Sequence, residues 1–246
     1  MIKNNFQYIE KGKGEVILLL HGLFGELSNW NTVINYFSFN YRVIVPIIPI
    51  YNLSIKKTNL LNLVKFLEEF IIFKNIKFIN LIGNSLGGHL ALMYALRNPN
   101  DIKSLTLTGS SGLFEKSMNI SFPRRNNYFY IKNKIKDTFF SPDALEKINI
   151  NKIFSIINDI NKAMRIILIA KSAKRNNMAK DIVNINTKTL LIWGLNDIIT
   201  PPIVAHEFNR LILFSKLKLI NKCCHAPMME HPKIFNLILE DFLKKI

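Results

Sequence analysis

The chain has 246 residues, of which 49% are hydrophobic, enough apolar material for one large α/β domain or a core domain with an insertion. This composition argues against a disordered chain. The formal net charge is +16 at pH 7, but the lysines are scattered over nearly every segment and no nucleic-acid-binding motif accompanies them. We therefore expect a basic surface and no nucleic-acid partner.

Membrane, secreted and metal-dependent classes are also disfavoured. The longest apolar runs have the length of strands, and the first residues lack the apolar core of a signal peptide, so we expect a cytoplasmic protein without membrane association. The two cysteines, Cys223 and Cys224, are adjacent, and no second pair exists for a metal site or a disulfide framework. Two reduced thiols are favoured over a strained vicinal disulfide. Neither a metal nor another cofactor is expected.

Six short apolar runs, taken in chain order, are typical of strands that are buried on both faces of a parallel sheet. They are EVILLL (15–20), YRVIVP (41–46), KFINLI (77–82), SLTLTG (104–109), TLLIWG (189–194) and SKLKLI (215–220). The first sixteen residues are expected to form an initial hairpin.

Helix-like segments lie between most of these runs, and several carry capping or proline signals. They cover residues 28–37, 59–73, 86–99, 201–212 and 231–246. Strands that alternate with helices predict an α/β fold with a doubly wound, mostly parallel sheet.

Residues 113–185 interrupt this alternation, because they contain helix-like pieces and no clear strand. We expect residues 1–112 and 186–246 to form the core of the fold, and residues 113–185 to form a helical cap over the carboxyl edge of the sheet. This segment is called the insertion below. The cap is expected to roof a substrate pocket and to set specificity without supplying catalytic groups.

The sequence GNSLGG at 83–88 lies between a strand-like and a helix-like run. Glycines suit a turn this sharp, because they tolerate unusual dihedral angles and leave room for neighbouring backbone. A serine in such a turn projects from the sheet, which is the geometry of the nucleophile elbow G-x-S-x-G. The alternative for Ser85 is an ordinary glycine-rich turn, so the rest of the chain must supply a base and an acid.

Three further strand-like runs end next to groups that would complete such a site, and two of them supply a candidate acid and a candidate base. Asp197 follows the run at 189–194 and His225 follows the run at 215–220, and the carboxyl ends of parallel strands meet at one edge of a sheet. A serine hydroxyl needs a base, histidine titrates near neutrality, and a carboxylate fixes the histidine tautomer. The order Ser85, Asp197, His225 predicts a catalytic triad.

The run at 15–20 ends at His21-Gly22-Leu23-Phe24-Gly25. The oxyanion formed during acyl transfer needs two backbone donors, and the N–H of the residue after the nucleophile is one of them. We expect the N–H groups of Leu86 and Leu23 in this role. A structural hydrogen-bonding role is favoured for His21.

The acid and the base each have an alternative interpretation. Asp197 could be an ordinary loop or cap aspartate, but no carboxylate follows the run at 104–109, the other strand end that could carry the acid. His225 competes with His231, which is expected near the start of the last helix. His89 and His206 are interpreted as packing or surface residues.

Taken together in order, HGLFG, GNSLGG, WGLND and HAPMMEHP resemble the α/β-hydrolase superfamily. Within it, the motifs GNSLGGH and SNW are similar to the meta-cleavage carbon–carbon hydrolases and their esterase-like neighbours. Enzymes of this fold that cleave haloalkanes or epoxides resemble it as well, but they carry aspartate at the elbow, where this chain has Ser85.

The resemblance implies that Asn84 and Asn29 lie near the oxyanion or the substrate. Two features depart from the meta-cleavage branch. That branch usually has Cys-Gly-His where this chain has Cys223-Cys224-His225, and it places a substrate-binding arginine in the cap. By location alone, the candidates for that arginine are Arg124, Arg125, Arg165 and Arg175.

The sequence therefore predicts a cofactor-free serine hydrolase that acts on a small-molecule ester or thioester through an acyl-enzyme. Hydrolysis of a carbon–carbon bond is the alternative reaction. A ligand receptor with slow turnover is the alternative from another functional class, because a fold does not determine function. The oligomeric state does not follow from the sequence.

Overall fold

The computed structural model describes residues 6–25, 27–113, 124–146 and 148–246. Within these residues, seven strands form one sheet with the order β1-β3-β2-β4-β5-β6-β7. The strands are β1 Tyr8–Lys11, β2 Glu15–Leu20, β3 Tyr41–Pro46, β4 Ile79–Asn84, β5 Ile102–Thr108, β6 Thr189–Gly194 and β7 Ser215–Ile220. The β1–β3 pair is antiparallel and all other neighbouring pairs are parallel, which confirms the predicted α/β class.

The predicted initial hairpin is wrong. β1 pairs with β3, so that Tyr8 lies opposite Pro46 and Lys11 opposite Val43, while β2 is occupied on both sides by β3 and β4. A short strand pairs with whichever edge the rest of the sheet leaves open, and this depends on contacts that are distant in sequence. Residues 1–5 of the predicted hairpin are outside the described part of the chain.

Ten α-helices accompany the sheet in the described residues. They are α1 Asn31–Phe37, α2 Leu60–Lys74, α3 Leu86–Arg97, α4 Tyr128–Lys136, α5 Pro142–Glu146, α6 Ile150–Asn158, α7 Ile160–Arg175, α8 Pro202–Leu211, α9 Pro227–Glu230 and α10 Pro232–Leu243. The long helix α2 begins where the Asn59 side chain accepts a hydrogen bond from the Asn62 N–H at 2.9 Å. None of the described helices combines the length and apolar character needed to cross a bilayer.

The sheet buries both of its faces. Leu18 and Leu20 of β2 belong to a core cluster shared with α2, α3 and α8, whereas Ile17 and Leu19 belong to a second cluster shared with α1 and α10. Successive side chains of a strand point to opposite faces, so the continuous apolar run of β2 serves helices on both sides.

Helices α4 to α7 lie between β5 and β6 in the chain. The insertion contains no strand in its described residues, and residues 114–123 and 147 of its predicted range are outside them. Ile131, Ile153 and Ile157 form a small cluster of their own, while α7 contributes residues such as Ile166 to the main core.

Candidate active site

The chain reverses direction sharply between β4 and α3, at Ser85. Ser85 has φ 54° and ψ −118°, a conformation that few non-glycine residues adopt. Gly87 permits this turn, because a side chain there would overlap the carbonyl of Leu20 in β2. Backbone strain of this kind persists only where the surroundings enforce it.

Hydrogen bonds hold the Ser85 backbone from both sides. Its N–H donates to the Thr108 carbonyl at the end of β5, with N and O 3.1 Å apart. Its carbonyl accepts from the His89 N–H at 3.2 Å and from the Ser111 N–H at 3.2 Å. Ser85 is half-buried, although Asn84 and Leu86 on either side of it are buried. The turn therefore presents the Ser85 side chain at the rim of the sheet.

The loop after β2 passes directly over this turn. A Cβ placed on Gly22 would lie 3.2 Å from the Cβ of Ser85. His21 is buried and fixes the loop, since its Nε2 accepts from the Ile48 N–H at 3.1 Å and its Nδ1 lies 2.8 Å from the Gly22 carbonyl. His21 thus makes the structural contacts expected of it.

The two amides predicted to hold an oxyanion belong to the residue that follows Ser85 and to the residue that follows Gly22. Leu86 is the first residue of α3, where helix N–H groups have no partner within the helix. Leu23 follows Gly22, and its carbonyl accepts from the Tyr51 hydroxyl at 3.0 Å. Among the described residues, neither amide donates a hydrogen bond to another protein group.

Asp197 and His225 are in direct contact at the ends of β6 and β7. Asp197 Oδ2 lies 2.9 Å from His225 Nδ1, and both residues are buried. The Thr200 hydroxyl donates to the same Oδ2 at 2.9 Å and lies 3.3 Å from His225 Nδ1. Asp197 Oδ1 accepts from the N–H groups of Ile199 and Thr200. Each oxygen of the Asp197 carboxylate therefore has two hydrogen-bonding partners.

These contacts determine the ionisation of Asp197. Burial alone would raise its pKa, but the neighbouring His225 charge and the hydrogen bonds from His225 and Thr200 lower the pKa below its ordinary value. The carboxylate is therefore charged at neutral pH and can stabilise an imidazolium.

His225 also contacts β4, which leads to Ser85, and the end of its neighbour β5. Its carbonyl accepts from Asn84 Nδ2 at 3.2 Å, and the same nitrogen donates to the Thr108 carbonyl at 3.0 Å. The imidazole lies over Gly109, where an added Cβ would be 2.9 Å from Nδ1. Asn84 directly precedes Ser85, so its amide links the backbone of His225 to the serine turn.

Three other candidates have no described hydrogen bond to Ser85, Asp197 or His225. Asn29 is half-buried in a helical turn at Leu27–Trp30. His231 precedes α10 and its Nε2 lies 2.8 Å from the Lys222 carbonyl. His206 is exposed on α8.

His89 is fully buried on α3, and its Nε2 donates to the Asn176 carbonyl at 2.9 Å. Burial lowers its pKa to about 4, although the hydrogen bond to Asn176 opposes this shift. His89 therefore makes the packing contact that the sequence suggested, between α3 and the end of α7.

The buried cysteines are free. Burial raises the pKa of Cys224 to about 11 and raises that of Cys223 as well, so both are protonated thiols at neutral pH. Within the described residues, no group of three or more histidine, cysteine, aspartate or glutamate side chains could hold a metal ion.

Three residues at this site were not found from the sequence: Thr200, Gly109 and Glu230. Thr200 had a local signal, because it follows Asp197 by three residues and directly precedes two prolines. Gly109 ends a strand-like run, which marks a turn but not the passage of an imidazole. Glu230 had no such signal, because its role depends on a contact with Phe140, which is remote in the chain, as well as on one with the nearby Cys224.

Comparisons with known proteins agree with this fold. The alpha/beta hydrolase fold family matches residues 15–145. The solved structure of MGS-MChE2, an alpha/beta hydrolase enzyme from the metagenome of sediments of the Mar Chica lagoon in Morocco, has 39% sequence identity and a TM-score of 0.81, and the match covers 100% of this chain and 97% of that one.

Two curated relatives are similar over most of their length. A 2-hydroxy-6-oxo-6-(2'-aminophenyl)hexa-2,4-dienoic acid hydrolase from Metapseudomonas resinovorans is 27% identical over 263 residues, which cover 97% of this chain and 87% of the relative. Lipase 1 from Psychrobacter immobilis is 26% identical over 244 residues, which cover 91% of this chain and 75% of the relative. With its sheet order, its serine turn and these matches, the chain belongs to the α/β-hydrolase family and is a hydrolase.

Proposed function

We propose that the protein hydrolyses a small carboxylic ester or thioester through an acyl-enzyme, with Ser85 as nucleophile, His225 as base and Asp197 as the acid that orients it. The observation that carries the proposal is the contact of 2.9 Å between His225 Nδ1 and Asp197 Oδ2, on a histidine whose carbonyl is bonded to the residue before Ser85. This contact occupies Nδ1 and leaves Nε2 to exchange a proton with the serine.

In the first half of the reaction, Ser85 Oγ attacks the carbonyl carbon while His225 Nε2 takes the hydroxyl proton. The N–H groups of Leu86 and Leu23 stabilise the resulting oxyanion. Its collapse breaks the bond to the leaving alcohol or thiol, which receives the proton from His225. In the second half, water attacks the acyl-enzyme by the same route, and the acid product leaves with Ser85 restored.

We also propose that residues 113–185 form a cap on a core of residues 1–112 and 186–246. Phe24, in the loop that passes over Ser85, packs against the cluster of Ile131, Ile153 and Ile157 in the insertion. This contact supports a position for the insertion beside the oxyanion loop, where a cap can exclude water and select substrates by shape.

The second candidate is hydrolysis of a carbon–carbon bond, and the relative from Metapseudomonas resinovorans favours it. The dienoic acid in that relative's name is anionic, so such a substrate requires a cation in the pocket. Arg165 uses Nε to bind the Leu53 carbonyl at 2.7 Å and Nη1 to bind the Asn161 carbonyl at 2.8 Å. Arg124 and Arg175 are exposed. Three of the four candidate arginines are thus exposed or bonded to backbone carbonyls, which supports an ester substrate, and the half-buried Arg125 is the remaining candidate for an anionic dienoate.

A fluorophosphonate probe and a substrate panel test these proposals. We expect the probe to modify Ser85, and p-nitrophenyl esters of increasing chain length to be hydrolysed faster than a 2-hydroxy-6-oxo-dienoate. Ser85→Ala should remove labelling and turnover, while Ser54→Ala, at an exposed serine, should retain both. Full activity of folded Ser85→Ala would refute the mechanism. Labelling without turnover of any ester or dienoate would favour the slow-turnover receptor.

A further inference from the structure

A turn of the insertion lies against the backbone that carries His225. Residues 137–140 follow α4, and three of them contact the segment 224–230. The His225 N–H donates to the Thr138 carbonyl at 3.2 Å, and the Cys224 thiol lies 3.4 Å from the Asp137 carbonyl. The third contact runs from the Phe140 N–H to Glu230 Oε2, at 2.6 Å.

The Glu230 carboxylate bridges these two parts of the chain. Its Oε2 accepts from Phe140 in the insertion, and its Oε1 accepts from the Cys224 N–H at 2.8 Å. Helix α9 makes the bridge possible, because this single turn brings Glu230 back beside the backbone that precedes His225. Both carboxylate oxygens are thus bonded to backbone donors, and a charged acceptor forms stronger hydrogen bonds than a neutral one.

Three consecutive backbone groups around His225 are held in this way. The Cys224 N–H is bonded to Glu230, the His225 N–H to Thr138, and the His225 carbonyl to Asn84. The last of these contacts comes from the sheet. The second comes directly from the turn at 137–140, and the first comes from Glu230, whose other carboxylate oxygen binds that turn. Phe139 anchors the turn by packing on the core cluster beside α10.

We propose that Glu230 is a positioning residue for His225, and that through it the insertion holds the base of the reaction in place. This inference rests on the proposed function. It gives the insertion a second role beside roofing the pocket: the contact between His225 and Asp197 depends on a turn that belongs to the insertion. A displacement of about 1 Å in a catalytic group can lower a rate about 100-fold, so a bond that fixes this backbone affects kcat.

Glu230→Gln is the central variant, because glutamine keeps the shape but can accept at only one of the two oxygens. Glu240→Gln is its control, since Glu240 is a glutamate on α10 that binds the surface residues Tyr36 and Lys244. Phe140→Pro removes the donor on the other side of the bridge. If both changes break one contact, the double variant loses no more than the more severe single variant.

The first measurement needs no substrate, so it separates this proposal from the proposed function. Amide hydrogen exchange of the uniformly labelled protein should accelerate at Cys224, His225 and Phe140 in Glu230→Gln, by about 10-fold or more, and stay unchanged in the sheet. The resonance of the His225 Nδ1 proton, shared with Asp197, should weaken. In Glu240→Gln all of these signals should match those of the wild type.

The second measurement is turnover of p-nitrophenyl acetate. We expect kcat of Glu230→Gln to fall about 10-fold to 100-fold with KM nearly unchanged, because the base is displaced and the pocket is not. Unchanged exchange at Cys224 and His225 in Glu230→Gln would overturn the proposal, whatever the activity. So would exchange that accelerates equally in the sheet, since that result describes a loss of global stability. If the wild type turns over no ester, the proposed function fails and the exchange data still decide the position of His225.

Discussion

The side chains of Thr200, Asp197 and His225 all lie within hydrogen-bonding distance of one another. Its hydroxyl lies 2.9 Å from Asp197 Oδ2 and 3.3 Å from His225 Nδ1, and its carbonyl accepts from the Trp193 indole at 2.7 Å. The buried indole thus fixes the backbone of Thr200, and the hydroxyl restricts the one carboxylate oxygen that faces the histidine.

We predict that Thr200→Val lowers kcat/KM roughly 10-fold, because a hydrogen bond to a charged group is lost without a change in side-chain shape. The pKa of Asp197 should rise, since this hydroxyl is one of the groups that lower it. Thr200→Ser keeps the hydroxyl and should behave like the wild type. The pH profile of kcat/KM is the measurement. Wild-type kcat/KM in Thr200→Val, with a loss confined to Thr200→Ser, would show that packing of the methyl group matters and the hydroxyl does not.

For the acid itself, we predict that Asp197→Asn lowers kcat about 10⁴-fold, as the corresponding change does in serine proteases, because an amide favours the wrong histidine tautomer. Asp101→Asn and Asp181→Asn serve as controls and should change kcat little. Steady-state kinetics on p-nitrophenyl acetate measures all three variants. A nearly active Asp197→Asn beside an inactive control would mean that another carboxylate is the acid.

The residues of the site divide into those that sequence reasoning can find and those that it cannot. Ser85, Asp197 and His225 each follow a recognisable strand, so their meeting at one edge follows from the topology. Thr200 and Glu230 matter because of contacts made across loops, and loop conformation is not encoded in strand periodicity. Asn84 was expected near the substrate, and its amide binds the carbonyls of Thr108 and His225.

At the scale of elements, buried apolar runs were the reliable signal. The strands at 15–20, 41–46, 189–194 and 215–220 have the predicted bounds. β4 continues two residues further, to Asn84, because its pairing with β5 extends past the apolar run. Helix α4 was not predicted as a separate element, since its sequence YFYIKNKIK buries Ile131 alone. The end of β4 is decided by strand pairing and the formation of α4 by helix packing, and both depend on the assembled fold.

The buried His89, which links α3 to the end of α7, makes the free energy of unfolding depend on pH. His89 has a pKa of about 4 in the folded protein, against an ordinary value of 6.5. Between these values the unfolded chain binds a proton that the folded chain does not, so acidification through this range favours unfolding. The free energy of unfolding should fall by about 3 kcal/mol from this group as the pH drops from 6.5 to 4.

We predict that His89→Gln removes that part of the pH dependence. Urea denaturation at pH 7 and pH 4.5 should show a smaller decline in the free energy of unfolding for the variant than for the wild type. His206→Gln, at an exposed histidine on α8, should retain the wild-type decline. If His89→Gln and His206→Gln decline in parallel, His89 is not the group that titrates.

At the scale of the whole molecule, the net charge of +16 is spread over the chain. Apart from the buried contact between Asp197 and His225, the described ion pairs are exposed or partly exposed, and pairs such as Lys245–Asp241 and Lys244–Glu240 join residues four apart at the end of α10. Exposed pairs of this kind contribute little to stability. The charge therefore shapes long-range interactions with anions more than it shapes the fold.

We predict that binding to duplex DNA is weak and indifferent to sequence, because scattered lysines neutralise phosphates without reading bases. Fluorescence anisotropy with two unrelated duplexes should show affinity that falls steeply between about 50 and 200 mM salt. Affinity that differs between the duplexes and survives at the higher salt concentration would contradict this prediction.

The absence of a side chain at Gly109 helps to distinguish an active hydrolase of this fold from an inactive homologue. β5 separates β4, which leads to Ser85, from β6, which leads to Asp197, and neighbouring strands are about 5 Å apart. In the proposed mechanism the imidazole has to bridge that gap, and it lies over the end of β5, where Gly109 has φ 51° and no side chain. A methyl group on this residue would fill the space that the imidazole of His225 occupies. A homologue could thus keep serine, aspartate and histidine in the right order and still have lost its chemistry. A list of catalytic residues would classify that homologue as an enzyme, whereas the residue at the position of Gly109 would identify it as inactive.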